Sequence, residues 1–500
     1  MPRSSQFSAA ILALPVLGFA QAPDLILMGK APNSQYGSSI TSAGDVDADG
    51  HADILIGAPI DRRTTERSGA LELRSGRDFR LMATWLGPGL GDELGFAADG
   101  AGDVNKDGHA DILCGVLGGV GPTESFIGNA RVYSGKDYRR LHTSRGANHY
   151  DFFGLSVAGL GDLDGDGAAD YAFGCPGDDR DGRNRGYLEV HSGHSGAVMY
   201  TLRGSIDGAQ FGWFARSVGD CDKDGVADFA VGAPGHERDH PPSGRAGYVD
   251  LHSGRDGRLL LHIEGAVVES HLGWQVASIG DLDADGTPDV LAGAPFEPMS
   301  AGGKEAGAAY VFSGRDGKVL LAVRGTQAGA RLGWNVFGAG DLSGDGKPDF
   351  WVSSPLWDDA AGGVDRGMVQ LVNGADGESL LTLEGRFAKA EFGFAICDLG
   401  PITANREHRL AVGARSDDLG SGAMVGTVGF YRIAPRQGDD GPRVVPGKAA
   451  VESFEVEKIK IAETPTTIEL GGQVSTRMLL GIAGGALALL AVAFAAWRRH

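Results

Sequence analysis

Residues 280–295 read GDLDADGTPDVLAGAP. Four aspartates, Asp281, Asp283, Asp285 and Asp289, are crowded into nine positions, and an apolar run ending in Gly-Ala-Pro follows at once. Carboxylates this close repel one another unless something positive lies between them. The stretch recurs as GDVDADGHADILIGAP (44–59), GDVNKDGHADILCGV (102–116), GDLDGDGAADYAFGCP (161–176), GDCDKDGVADFAVGAP (219–234) and GDLSGDGKPDFWVSSP (340–355). The first aspartates fall at 45, 103, 162, 220, 281 and 341, at intervals of 58, 59, 58, 61 and 60. Self-similarity at a fixed period marks a repeat architecture. One more interval of 60 lands at Pro401, inside LGPITANREHRLAVGA (399–414), where the frame persists without the aspartates. The chain therefore reads as seven repeats, the last degenerate.

The fifth repeat shows the plan of one unit. LGWQVASIG (272–280), PDVLAGAP (288–295), GAAYVFSG (307–314) and VLLAVRG (319–325) are short, rich in Val, Leu, Ala and aromatics, and bounded by Gly, Pro and Asp. That is strand chemistry with turn punctuation, and no stretch of the repeats sustains a helical period. Four strands per unit, seven times over, predicts an all-β fold, a seven-bladed β-propeller of four-stranded blades. PDLILMG (23–29) stands where a fourth strand would stand before the first repeat. The seventh repeat runs only to its third strand, GTVGFYRI (426–433), so the N-terminal strand is expected to complete the last blade and hide an edge.

The loop pattern is D-x-[D/N/S]-x-D-G-x-x-D. Hard divalent cations take several oxygens at about 2.3–2.6 Å, and side chains at positions one, three, five and nine of a coiled loop can supply them. The expected ligands are Asp45, Asp47, Asp49 and Asp53; Asp103, Asn105, Asp107 and Asp111; Asp162, Asp164, Asp166 and Asp170; Asp220, Asp222, Asp224 and Asp228; Asp281, Asp283, Asp285 and Asp289; and Asp341, Ser343, Asp345 and Asp349. The glycine at position six permits the sharp turn. Position seven, His51, His109, Ala168, Val226, Thr287 or Lys347, can offer a backbone carbonyl and needs no particular side chain. A cage of this kind favours calcium, about four to six ions in all. Asn105 and Ser343 are expected to weaken the second and sixth loops, and Asn405 alone remains in the seventh, which is expected to bind none. An EF-hand needs glutamate at position twelve, where this chain has Ile56, Cys114, Phe173, Val231, Ala292 and Val352. Acid/base pairs need contrasting environments around one cleft, so six equivalent loops argue for structure and against catalysis.

The 500-residue chain has a formal net charge of −20, and 22 aspartates of these loops account for it. The acidity thus belongs to the loops, and no nucleic-acid partner is implied. Arg3 and the apolar stretch AAILALPVLGFA (9–20) have the layout of a secretory signal, expected to span 1–20. MLLGIAGGALALLAVAFAAW (478–497) is twenty residues without a charge, long enough to cross a bilayer as one helix. Arg498 and Arg499 mark 498–500 as a cytoplasmic tail. The expected order is signal 1–20, propeller 21–434, stalk 435–477, transmembrane helix 478–497 and tail: an exported, single-pass cell-surface protein with the propeller outside. A sorting tail removed after export is the rival reading of 478–497. Cys114, Cys175, Cys221 and Cys397 sit at different places in their repeats and read as small buried residues.

The combination of Tyr36-Gly37, Phe211-Gly212 or Leu272-Gly273, the acidic loop, and Gly232-Ala233-Pro234 or Gly293-Ala294-Pro295 resembles the FG-GAP repeat of the integrin α-subunit propeller over roughly 23–433. That resemblance implies seven blades, calcium between first and second strands, and adhesion through the opposite face. Integrin subunits usually carry calcium only in the later blades, whereas six loops look competent here. With neither an inserted ligand-binding domain nor a long β-sandwich leg, an integrin-type heterodimer is not expected. Free-standing FG-GAP proteins of bacterial surfaces resemble the layout better.

Strand order places the second-to-third and fourth-to-first connections on the face away from the acidic loops. Arg183, Arg238, His240 and Trp357 on these connections are the expected contacts for an extracellular protein or glycan. The aromatics Phe96, Trp213, Trp274, Trp334 and Phe394 are expected to pack between blades. The leading expectation is a calcium-stabilised, surface-anchored binding or adhesion module without enzymatic activity. A surface enzyme acting on polysaccharide or phosphoester with the propeller as scaffold, and a structural surface-layer protein, are the alternatives.

Overall fold

The computed structural model describes residues 21–118, 126–235, 246–299, 304–403, 406–418, 424–436, 441–445 and 450–452. Six four-stranded antiparallel sheets follow one another along the chain, each in simple meander order, and a seventh sheet joins the two ends. Blade five comprises Val276–Gly280, Asp289–Ala294, Ala308–Phe312 and Val319–Arg324, the four segments legible in its sequence. The first strand of every blade touches that of the next, and blade seven returns to blade one. This is a closed seven-bladed β-propeller.

The core lies between blades. Seven separate apolar clusters fill the seven wedges, one for each pair of neighbours. The second strand of a blade is covered on both faces by adjacent blades, so all six residues of Asp53–Ala58, Asp111–Val116, Asp170–Cys175, Asp228–Ala233, Asp289–Ala294 and Asp349–Ser354 are buried. That explains why these strands are nearly continuous apolar runs without alternation. The outer strands, such as Val198–Arg203 and Val319–Arg324, are partly exposed and exposed at both ends.

The Phe/Leu-Gly and Gly-Ala-Pro signatures recur together because they meet. A Cβ on Gly293 would lie 2.1 Å from the carbonyl oxygen of Gly333 in the next blade. Gly333 itself has φ +88, a left-handed conformation that a side chain would strain. The two glycines let backbones of neighbouring blades touch.

The ring closes as expected. Leu25–Met28 pairs antiparallel with Thr427–Ala434, and Asp24 binds Arg432 at 2.6 Å across that seam. The stretch expected to leave the pattern after residue 434 contributes two further short strands to this sheet. Arg443–Val444 pairs with the end of Thr427–Ala434, and Ala450–Glu452 pairs in parallel with Leu25–Met28. The first residues of the expected stalk thus cover the outer edge of blade seven, an edge that would otherwise present unpaired backbone groups. No helix among the described residues is long and apolar enough to cross a membrane. The signal segment, 453–477, and the apolar segment 478–497 lie outside the described residues. The four cysteines form no disulfide.

Candidate functional site: the acidic loops and the opposite face

Each acidic loop joins the first and second strands of its blade. In loop five the carboxylate of Asp281 accepts the backbone N–H groups of Asp285 (3.1 Å) and Gly286 (2.8 Å), which coils the loop around it. Asp285 accepts from Thr287 N at 2.8 Å. Two residues per loop are left-handed: Gly286 at φ 82, as expected, and also Ala284 at φ 62. Position four is Ala48, Lys106, Gly165, Lys223, Ala284 or Gly344, every one at positive φ. The glycines in two of the six copies were the available sign of this second bend.

Position nine has two tasks. Asp289 Oδ2 accepts the N–H of Leu282 at 2.7 Å, and Oδ1 accepts that of Gly314, in the turn between third and fourth strands, at 3.0 Å. The same pair of bonds recurs at Asp53, Asp111, Asp170, Asp228 and Asp349. All six carboxylates are fully buried. Burial pushes Asp53, Asp111, Asp289 and Asp349 up to about 6 and raises Asp170 and Asp228 as well. Position two is an apolar peg: Val46, Val104, Leu163, Leu282 and Leu342 are buried in the wedge toward the following blade. The loop is therefore fastened to the core through the residue between its first two ligand positions.

Carboxylate oxygens converge in four loops. Asp45, Asp47 and Asp53; Asp162, Asp164 and Asp170; Asp220, Asp222 and Asp228; and Asp281, Asp283 and Asp285 each offer atoms within 4.8 Å of one another. These groups can hold a metal ion. Among the described residues the second and sixth loops form no such group, in keeping with Asn105 and Ser343. Two atoms are informative. Asp47 Oδ1 and Asn105 Oδ1 are buried and accept no hydrogen bond. A buried acceptor without a donor is costly, and a cation in the loop would satisfy it. The donor set, all hard oxygen, fits calcium.

The seventh blade replaces this arrangement with protein groups. Asp398 accepts from Trp351 Nε1 (3.0 Å), Gly400 N (2.8 Å) and His408 Nδ1 (3.0 Å). Arg409 occupies position nine; it donates to Gly76 O of blade one and lies over the Phe79 ring at 4.5 Å.

On the opposite face, aromatic side chains meet around the axis. Ring centroids are 5.0 Å apart for Trp213–Trp274, 4.8 Å for Trp274–Trp334 and 5.3 Å for Trp334–Phe394. The arc ends on Arg415, 3.6 Å over Phe394. These residues do lie between blades, as expected, but they also touch one another in a continuous arc that no single repeat could reveal. The axis itself is bridged: Arg216 of blade four holds both oxygens of Asp99 in blade two at 3.0 and 2.9 Å, and Thr41 of blade one donates to the same carboxylate at 2.8 Å. The equivalent first-strand positions elsewhere are Ala158, Ala277, Phe337 and Cys397, so the two opposite charges were the overlooked signal. Arg183 is exposed and Trp357 half-buried on this face; Arg238 and His240 lie outside the described residues. A cavity of about 260 Å³ on blade two is lined by Arg131, Arg140, Arg145 and Asp92.

Fold and loops together define a seven-bladed propeller of the acidic-loop type. The chain carries FG-GAP repeats, matched at residues 36–70 and 272–312, and its propeller is similar to the integrin α-subunit N-terminal propeller. Integrin alpha-5 of Xenopus laevis is 31% identical over 239 residues, which is 43% of this chain and 21% of that protein. Integrin alpha-V of Gallus gallus is 28% identical over 241 residues, 45% of this chain and 22% of that protein. The phosphatidylinositol-glycan-specific phospholipase D of Bos taurus is 33% identical over 196 residues, 35% of this chain and 22% of that protein. The matches span about a fifth of these relatives' length.

Proposed function

We propose that the protein is an adhesion or ligand-binding module whose propeller is held in shape by calcium in its acidic loops and which engages an extracellular protein or glycan through the opposite face. The division of the molecule into two faces carries this reading. One face holds the six acidic loops; the other holds the aromatic arc and the connections that bear Arg183 and Trp357, and the sequence assigns Arg238 and His240 to a connection of the same kind. The similarity to integrin α chains supports it. The ligands are those read from the sequence: positions one and three converge in all four groups, joined by position nine in loops one, three and four and by position five in loop five. Position nine also fastens the loop to the neighbouring turn. Export through 1–20 and anchoring through 478–497 place the propeller outside the cell.

The test is binding of the purified full chain to immobilised matrix proteins and an array of glycans, in calcium and in chelator. Calcium-dependent binding weakened by Arg183→Glu and Trp357→Ala is the expected result. No binding to any surface would sink the adhesion reading. Turnover of a phosphoester or polysaccharide by the same preparation would replace it with the enzymatic one.

A further inference from the structure

The six acidic loops differ in what stands beside them. The turn between third and fourth strands lies next to each loop, because position nine is bonded to a glycine of that turn. The sixth residue of the turn is structurally equivalent in blades one to six: its carbonyl accepts the N–H of the first, in Ser75–Arg80, Ser134–Arg139, Ser192–Ala197, Ser253–Arg258, Ser313–Lys318 and Asn373–Glu378. The residue at this place pairs with position three in two blades. Arg80 Nη2 donates to Asp47 Oδ2 at 2.5 Å, and Arg258 Nη2 donates to Asp222 Oδ2. In blade four Arg255 also holds Asp224, Nε to Oδ2 at 2.7 Å.

The remaining blades form a set of natural controls. Position three is neutral Asn105 in blade two, and there Arg139 turns to Asp137 of its own turn at 2.6 Å. Lys318 in blade five likewise takes Asp316, at 2.5 Å. Ala197 has nothing to offer Asp164 in blade three. Blade six has lost the charge at position three, Ser343, and carries Glu378 in the turn. A guanidinium hydrogen-bonded to position three is thus found, among the described residues, only in blades one and four; loops three and five carry looser cations at position five, Lys106 Nζ 3.4 Å from Asp166 and Arg315 Nη1 3.8 Å from Asp285.

A guanidinium beside clustered carboxylates relieves their mutual repulsion when no ion is bound. The same charge opposes a divalent ion placed a few ångströms away. In blade one it does so without closing the loop, because Asp47 Oδ1 keeps its buried, unshared position while Oδ2 takes Arg80.

We propose that Arg80 and Arg258 are built-in competitors of the cation, lowering the calcium affinity of loops one and four below that of loops three and five, so that the ring fills in two stages. The inference rests on the calcium reading of the loops. Arg80 and Arg258 act through Asp47 and Asp222 and leave the remaining ligands unchanged.

The experiment is a calcium titration of the purified full chain against a chromophoric chelator, paired with thermal melts in excess chelator. Two classes of site are expected. Arg80→Gln with Arg258→Gln should tighten the weaker class about five- to tenfold and lower the melting temperature in chelator. Ala197→Arg, which installs the pair in blade three, should move one tight site into the weaker class. Opposite signs for affinity and calcium-free stability separate this from simple damage to the fold, which would lower both. Unchanged or weaker calcium affinity in the double variant overturns the competitor role. Absence of calcium binding in the unaltered chain is a separate result, which removes the calcium reading itself.

Discussion

Blade five and blade seven solve the same problem with different materials. Both must fix the connection between their first and second strands. Blade five coils a loop whose Asp281, Asp283 and Asp285 converge on one point and fastens it through Leu282 and Asp289. Blade seven has no such cluster. Its Asp398 is saturated by His408, Trp351 and Gly400, and Arg409 crosses to blade one. Blade five leaves negative charge for a solvent cation to neutralise; blade seven brings its cations as side chains. The closing blade, where the first and last strands of the ring meet, is therefore built from protein contacts in place of an acidic cluster.

The largest effect that would break this comparison is removal of calcium. An ion bound only by the folded state stabilises by about 2.7 kcal/mol when present at a hundredfold its dissociation constant. With several sites, chelator should lower the melting temperature by more than about 10 °C. An unchanged melt in calorimetry would end the calcium assignment.

The next effect is pH dependence in chelator. Asp53, Asp111, Asp289 and Asp349 rise from the usual 3.8 to about 6 in the fold because they are buried. The folded chain then binds more protons than the unfolded one between those values. Stability falls as pH rises from about 4 to about 6 and stays at the lower level above that. Chelator-treated protein should melt several degrees higher at pH 5 than at pH 7.5. In calcium the order should reverse, because the ion needs deprotonated ligands. A chelator melt that is flat across this range would show that position nine is not the strained group.

Single substitutions come third. Asp289→Ala orphans two buried N–H groups and should cost about 2–4 kcal/mol in chelator as well as in calcium. Asp283→Ala should destabilise only in calcium, since without the ion it relieves repulsion. Equal losses for the two variants in denaturant melts would contradict separate tasks for positions three and nine. The smallest effect belongs to blade seven. Arg409→Ala removes a cation–π contact and a hydrogen bond across the closing seam, worth about 1 kcal/mol, by the same amount with and without calcium. A calcium-dependent loss would mean that this seam also senses the ion.

Much of the architecture was legible because repetition averages away local ambiguity. One copy of GDLDADGTPDVLAGAP is a polar turn before an apolar strand; six copies at one spacing are blades. The placement of the acidic loops between first and second strands was legible for the same reason. Position two was not, because Val46, Leu163 or Leu282 looks like an ordinary apolar residue until the next blade covers it. Arg443–Val444 and Ala450–Glu452 were hidden because two- and three-residue strands have no period to read.

The sequence by itself determined the number of blades, the order of strands, the closing role of Leu25–Met28 and the spacing of the acidic loops. These depend on residues near one another in the chain, repeated at a fixed interval. Only the tertiary structure decided what occurs once. Asp99 meets Arg216 across the axis, Trp213 to Phe394 touch in an arc, and Arg80 and Arg258 find their aspartates while Arg139 and Lys318 turn away. Contacts between different repeats depend on how seven similar units close into a ring, and no period in the chain records that closure.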